Sequence, residues 1–302
     1  MLEEKLKTYF DLHPLLDDVD LLSIGYINFD ERTFEKFTLK DTGEPKTFFD
    51  LASITKPLTI GLVQFICPEF KKIKDLDLLL NHCSGLPSWG LLSCKSWRDQ
   101  ILSYQISKSS VLYSDFGALR AQIEFEKEND ANIYDSVKHL WHDEILHWTA
   151  VKKNFCLCTG ERGFKKIVGD VHDPNAWTIK RRLSHAGLFS TLDGLCNTLL
   201  KLEREFSIID YFIDKFKTGG FDRFINGWDT AFKRRTSLAG DRCSDYTVGH
   251  LGFTGTSFWI DCERRKGVVI LSNITRDGWY NKKNLNTARR DVADIVWDLR
   301  EG

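Results

Sequence analysis

The chain has 302 residues, 42% of them hydrophobic and 28% charged, which is enough apolar material for a sizeable core and too much for intrinsic disorder. Its 42 Lys plus Arg against 43 Asp plus Glu leave a formal net charge of −1, which argues against broad binding to nucleic acid or to an anionic membrane surface. No segment approaches the ~20 apolar residues of a membrane span, and Met1-Leu2-Glu3-Glu4-Lys5-Leu6-Lys7 lacks the apolar run of an export signal, so the expectation is a cytoplasmic protein.

In chain order, Leu2, Leu6, Tyr9 and Phe10 mark an amphipathic opening stretch. Leu21–Phe29 and Thr33–Leu39 read as strands joined by Asp30-Glu31-Arg32 in a hairpin. A helix pattern then runs from Ser53 to about Phe65, with Leu58, Leu62 and Phe65 on one side. Between about 68 and 227 helical periodicity alternates with long loops, and no strand ladder stands out. Gly227–Arg234, Val248–Gly255, Thr256–Cys262 and Gly267–Asn273 are short and β-rich, and Lys283 to Leu299 carries apolar residues at helical spacing. Strands at both ends with helices between them predict an α/β (α+β) fold. One antiparallel sheet is assembled from 1–66 and 228–302, flanked by helices, around an inserted, mainly helical region at 67–227.

The eight cysteines (Cys67, Cys83, Cys94, Cys156, Cys158, Cys196, Cys243 and Cys262) are scattered, with no C-x-x-C pair and no metal-knuckle spacing. They are expected to be reduced thiols packed as small apolar groups.

Three segments carry candidate chemistry. In Ser53-Ile54-Thr55-Lys56 a hydroxyl and an amine three residues apart share one helix face, and a serine needs such a neighbour to become a nucleophile. In Tyr113-Ser114-Asp115-Phe116-Gly117 a phenol with a depressed pKa, close to a Lys ammonium, would carry a proton between Ser and a leaving group. Gly249-His250-Leu251-Gly252-Phe253 is a Gly-punctuated strand of the kind that approaches a ligand closely and donates an N–H to an oxyanion. Taken singly, each also reads as ordinary structure: an exposed helix start, a capped turn and a bulged strand.

Together and in this order, with Leu79-Leu80-Asn81-His82-Cys83-Ser84-Gly85-Leu86-Pro87, Val171-His172-Asp173-Pro174-Asn175-Ala176 and His185-Ala186-Gly187-Leu188-Phe189-Ser190-Thr191, they resemble the serine beta-lactamase and penicillin-binding-protein superfamily. The resemblance is to its class C beta-lactamase-like branch of esterases and D-peptidases, over roughly residues 20–300. It implies Ser53 as the acylated nucleophile, Lys56 as the activating amine and Tyr113 as a second proton carrier. The N–H groups of Ser53 and Phe253 would form an oxyanion hole, and Gly252 would belong to the same substrate-binding strand. His172, Asp173 and His185 would lie near the cleft.

Two departures matter. Asp115 stands where lactamases usually carry Asn, and should hold Lys56 protonated, leaving Tyr113 as the working base. His250 and Leu251 stand where Lys and Thr are usual, so a fixed reader of a substrate carboxylate becomes a pH-dependent one. The expectation is a serine hydrolase acting on a small ester, a D-amino-acid peptide or a muropeptide-like substrate, not an efficient beta-lactamase. The alternative is a catalytically silent binding or scaffolding relative. No Walker loop or dinucleotide fingerprint appears, and no metal or organic cofactor is expected. The His139, His142 and His147 cluster lacks H-E-x-x-H spacing. Paired arginines such as Arg181-Arg182, Arg234-Arg235 and Arg264-Arg265 read as solvated faces.

Overall fold

The computed structural model describes residues 2–13, 19–40, 46–67, 69–232, 237–278 and 282–299. Arg234-Arg235 and the end of the strand expected at Gly227–Arg234 lie outside them.

Strands β1 (Leu22–Asn28) and β2 (Thr33–Leu39) form the expected hairpin, Leu22 opposite Leu39 and Asn28 opposite Thr33. Five short strands follow: β3 (Phe49–Asp50), β4 (Ile145–His147), β5 (Cys158–Arg162), β6 (Lys165–Val168) and β7 (Leu188–Ser190). The C-terminal part supplies β8 (Phe224–Ile225), β9 (Trp228–Thr230), β10 (Thr247–Leu251), β11 (Ser257–Asp261) and β12 (Lys266–Ser272). The main sheet has the order β2-β1-β12-β11-β10-β9-β8, antiparallel throughout. The two ends of the chain meet where β1 pairs with β12, Leu22 opposite Ser272.

Helices α1 (Leu2–Leu12), α2 (Thr55–Leu58), α3 (Val63–Ile66), α4 (Leu76–Leu80), α5 (Trp97–Leu102) and α6 (Asp115–Asn129) occupy the first half. They are followed by α7 (Ile133–Val137), α8 (Pro174–Ile179), α9 (Leu192–Phe206), α10 (Ile208–Thr218) and α11 (Lys283–Trp297). Among the described residues no helix is long and apolar enough to cross a membrane.

Period-two alternation sorts the sheet's side chains to two cores. Leu22 and Ile24 of β1 and Val268 and Ile270 of β12 pack under α1 and α11 with Leu2, Leu6, Leu285 and Val292. Ile27, Val269 and Leu271 face the other way, into the larger core with Leu195, Cys196 and Leu199 of α9. Every residue of β1 is therefore buried, whereas the edge strand β2 is largely exposed.

The expected helix from Ser53 to Phe65 is broken into short turns. Ala52–Ile54 and Ile60–Leu62 are 3-10, separated by α2 and followed by α3. The break falls at Thr59, at φ −120° and ψ −94°. Its hydroxyl donates to Thr55 O at 2.7 Å, the carbonyl its own N–H would take in an α-helix, and the N–H goes to Lys56 O instead.

The stretch 68–227 also holds strands that the sequence pattern does not announce: β7 pairs with both β3 and β4, and β5 with β6. Three-residue strands are too short to display alternation, and the Gly163-Phe164 turn, with Gly163 at φ +65°, supplies the hairpin's only cue. All eight cysteines are free thiols, but only Cys196 and Cys262 are buried, and Cys94 is exposed. The expected packing role holds for those two.

Gly25 lies where α9 crosses β1. A Cβ there would come within 2.7 Å of Cys196 Sγ and 3.3 Å of Leu192 Cδ1. Gly25→Ala should cost about 1–3 kcal/mol of stability by overpacking. Adding Cys196→Ala should recover part of that loss, and urea unfolding of the single and double variants measures both.

Candidate active site

The nucleophile candidate sits on a strained turn. Leu51 N–H bonds Leu188 O at 2.9 Å, anchoring the end of β3 to β7, and Ala52 then turns into the left-handed region at φ +47°. A non-glycine residue there costs on the order of 1 kcal/mol and needs support from its surroundings. Asp50 gives it, accepting Ala52 N–H at 2.8 Å on one carboxylate oxygen and His172 N–H at 2.7 Å on the other. Thr254 and Thr256 donate their hydroxyls to Asp50 O and Leu51 O, tying this turn to the loop between β10 and β11 that carries Phe253. Gly252 is required in that loop, since a Cβ would lie 1.9 Å from Thr256 Oγ1 and 2.6 Å from Leu51 O.

Three positions on, Lys56 turns back to Ser53. Its ammonium donates to Ser53 Oγ at 3.0 Å and to His185 O at 3.2 Å, and it lies 2.6 Å from Asp115 Oδ1. It also stands 4.8 Å from the centre of the Tyr113 ring. Lys56 is 1% exposed. Burial works against its charge, but the Asp115 carboxylate and Tyr113 outweigh it and raise its pKa. The expectation that Asp115 holds Lys56 protonated agrees with this geometry.

Asp115 is placed by the turn at 82–88. Ser114 caps α6, accepting Gly117 N–H at 2.8 Å and donating its hydroxyl to Pro87 O. Ser114 N–H bonds His82 Nδ1 at 3.1 Å, and Asp115 N–H bonds Ser88 O at 2.8 Å. The Leu79–Pro87 segment thus holds Tyr113 and Asp115 in place.

Two electrostatic expectations need correction. Tyr113 is half-buried, and its pKa is raised, not depressed: loss of water outweighs the Lys56 ammonium. Its hydroxyl is near Ser53 and Lys56 but completes no well-directed hydrogen bond. His250 is not a cation at neutral pH. It is 2% exposed, its Nδ1–H donates to Leu251 O at 2.9 Å, and burial, assisted by Lys56, lowers it to about 4. Its ring packs behind Tyr113, 5.9 Å between centroids, away from the cavity lining.

Ser53, Tyr113, Asp115 and Phe253 line one cavity of about 680 Å³ together with Trp89, Pro174, Ala186, His172, Asp173 and His185. The last three, expected near the cleft without a role, form its far wall. His185 Nε2 and Asp173 Oδ1 are 2.9 Å apart, and the Phe253 ring lies 5.3 Å from that of His172. Asp173 also caps α8 through Ala176 N–H, ahead of Pro174 at the first helical position, a pair visible in the sequence. Sequence reasoning missed the Asp50, Thr254 and Thr256 supports. Thr254 and Thr256 act across about 200 positions of chain and Asp50 reaches His172 N–H across 122, so no local pattern reveals these contacts.

The segment entering this wall has an unusual set of partners. Four successive carbonyls each accept from a side chain: Arg182 O from Gln122, Leu183 O from Tyr134, Ser184 O from Thr59 and His185 O from Lys56. By contrast, the His139, His142 and His147 cluster is dispersed into local bonds, His142 Nδ1 accepting from Glu144 N–H and His147 Nδ1 pairing with the Thr149 hydroxyl.

Solved structures match this fold over nearly the whole chain. A beta-lactamase of Mycobacterium bovis aligns with a TM-score of 0.61 at 17% identity, covering 99% of this chain and 100% of its own. The fold is that of the serine beta-lactamases. A class C beta-lactamase of Rhodobacter sphaeroides aligns at 0.59 and 13% identity, covering 95% of this chain and 97% of its own. SurE, solved with D-Leu, aligns at 0.61 and 13% identity over 98% of this chain and 74% of its own. No family profile and no curated protein matches the chain.

Within this fold two buried groups should titrate in opposite senses. Burial pushes Asp50 up to about 7, against the N–H bonds of His172 and Ala52, from an ordinary 3.8. The folded chain therefore holds a proton that the unfolded chain releases, and this group's contribution to stability falls as pH rises from about 4 to 7. His250, lowered from 6.5 to about 4, makes a contribution that grows as pH rises over that range. Carboxyl 13C shifts should place the Asp50 midpoint near pH 7, and the His250 imidazole signals should stay constant down to about pH 5. A His250 midpoint near 6.5 would restore it as a cation.

Proposed function

We propose that the chain is a serine hydrolase that forms an acyl-enzyme on Ser53. The observation that carries this reading is the 3.0 Å contact between Ser53 Oγ and the buried Lys56 amine, at the floor of an open, mostly apolar cavity. At rest Lys56 is an ammonium paired with Asp115. For attack, that pair passes one proton from Lys56 to the Asp115 carboxylate, which leaves a neutral amine to take the Ser53 hydroxyl proton as Oγ bonds to the substrate carbonyl. The N–H groups of Ser53 and Phe253 receive the oxyanion. Tyr113, protonated because it is buried, suits the general acid that protonates the leaving group, with its proton replaced from Lys56. Water then attacks the acyl-enzyme along the reverse route. Tyr113 as acid replaces Tyr113 as base.

The cavity favours an uncharged acyl group. Trp89, Pro174, Ala186 and Phe253 line it, no Lys or Arg does among the described residues, and Asp115 and Asp173 are engaged by Lys56 and His185. Small esters fit this lining better than peptides ending in a free carboxylate. A silent binding protein is the second reading. It draws on the same ion pair, because a protonated Lys56 donates to Ser53 instead of accepting from it.

Intact-mass analysis after treatment with a fluorophosphonate separates the two. One adduct should form on Ser53, vanish in Ser53→Ala and form ~100-fold more slowly in Lys56→Ala. A wild type that stays unlabelled and hydrolyses no p-nitrophenyl ester would leave the silent reading. Asp115→Asn removes the carboxylate that raises Lys56, so the acidic limb of the acylation profile should move to lower pH. An unmoved limb would take Lys56 out of the base role.

A further inference from the structure

Outside the Ser53 cavity a second concavity of about 570 Å³ opens beside α5 and the C-terminal end of α8. Five cations line it, Lys95, Arg98, Lys180, Arg181 and Arg182, with the Trp97 ring, and no carboxylate does among the described residues. It shares no lining residue with the Ser53 cavity. In a chain whose formal net charge is −1, this concentration is local, not a reflection of overall basicity. The backbone builds it: Lys180 ends α8 at φ +53°, a left-handed turn that lets three consecutive cations line one concavity. Arg98 is paired with Glu126, and Arg182 with Asp135 at 3.1 Å. Lys95, Lys180 and Arg181 have no carboxylate within ion-pair distance among the described residues, so the cluster carries about three positive charges that nothing nearby offsets.

We infer that this cavity binds a small molecule carrying a diphosphate group. Arginine forks match phosphate oxygens in pairs, and lysines add point charges at neighbouring oxygens. Two to three negative charges would balance the three unshared cations. The volume accommodates a diphosphate with an attached ring, and falls within the ordinary range for small-molecule sites. Arg181 and Arg182 are exposed, as expected of a solvated face, and in this proposal the same face binds the ligand.

Cys94 lines the cavity and is exposed, which makes it a built-in reporter. The test is the rate of its alkylation by iodoacetamide, a neutral reagent, read by mass spectrometry with Cys67 as internal reference. Inorganic pyrophosphate at millimolar concentration should slow Cys94 at least about threefold and leave Cys67 unchanged. Potassium chloride at matched ionic strength should not reproduce this, since screening acts without a site. Lys180→Gln with Arg181→Gln should abolish protection. Both side chains are exposed, and an unchanged circular dichroism spectrum verifies the fold. ADP protecting at lower concentration than pyrophosphate would assign a nucleotide source, and equal protection a free diphosphate; both support the site. Protection that chloride reproduces, that citrate matches, or that survives in the double variant would overturn it.

Discussion

The Lys56 side chain has lost almost all contact with water, and an ammonium in that position persists only where charge and hydrogen-bond acceptors surround it. Its three oxygen partners come from three places: Ser53 on the turn after β3, Asp115 at the start of α6, and the His185 carbonyl on the approach to β7. One cation therefore ties the Ser53 turn to the start of α6 and to the approach to β7. Removing Asp115 would leave that cation buried and under-compensated, so the carboxylate is structural as well as chemical. The same charge reaches outward, lowering His82 and His250 after burial has already done so, and keeping a layer of neutral rings behind Tyr113.

That neutral layer changes the character of the site. A reading based on residue types alone treats a histidine in the third motif as a titratable reader of carboxylates and a tyrosine beside lysine as an acidified phenol. Both are reasonable for partly solvated groups. Here desolvation exceeds the nearby charges. Tyr113 keeps its proton, His250 sheds its own, and the anion beside the nucleophile is Asp115. On the proposed reading, the chemistry left to such a site is transfer within a lysine–aspartate pair, in a cavity walled by tryptophan, proline and phenylalanine.

Much of this was readable before any coordinates. The β1–β2 hairpin and the strands β10 to β12 follow β-rich runs bounded by turn signals, and the last helix follows apolar residues at helical spacing. The order of Ser53, Tyr113 and His250 along the chain pointed to the fold. What escaped had short range or long reach. Three-residue strands such as β4 and β7 have no period to detect, and Thr59 breaks the first buried helix through a hydroxyl contact that propensity does not express. The hold of Asp50 on His172 N–H spans 122 positions, and Thr254 acts on Asp50 O across 204. Burial itself, which decided the protonation of Tyr113 and His250, is a property of the folded chain and is not encoded in either residue's neighbours.

The four pinned carbonyls from Arg182 to His185 have a thermodynamic consequence. One end of that segment borders the basic cavity, and the other accepts a proton donor from Lys56. With each acceptor fixed by a different side chain, the segment has little freedom to absorb a displacement at either end. Linkage makes any coupling between the two ends symmetric. Were an acyl group beside Ser53 to alter affinity at the distant cations, their occupant would alter binding at the serine by the same factor.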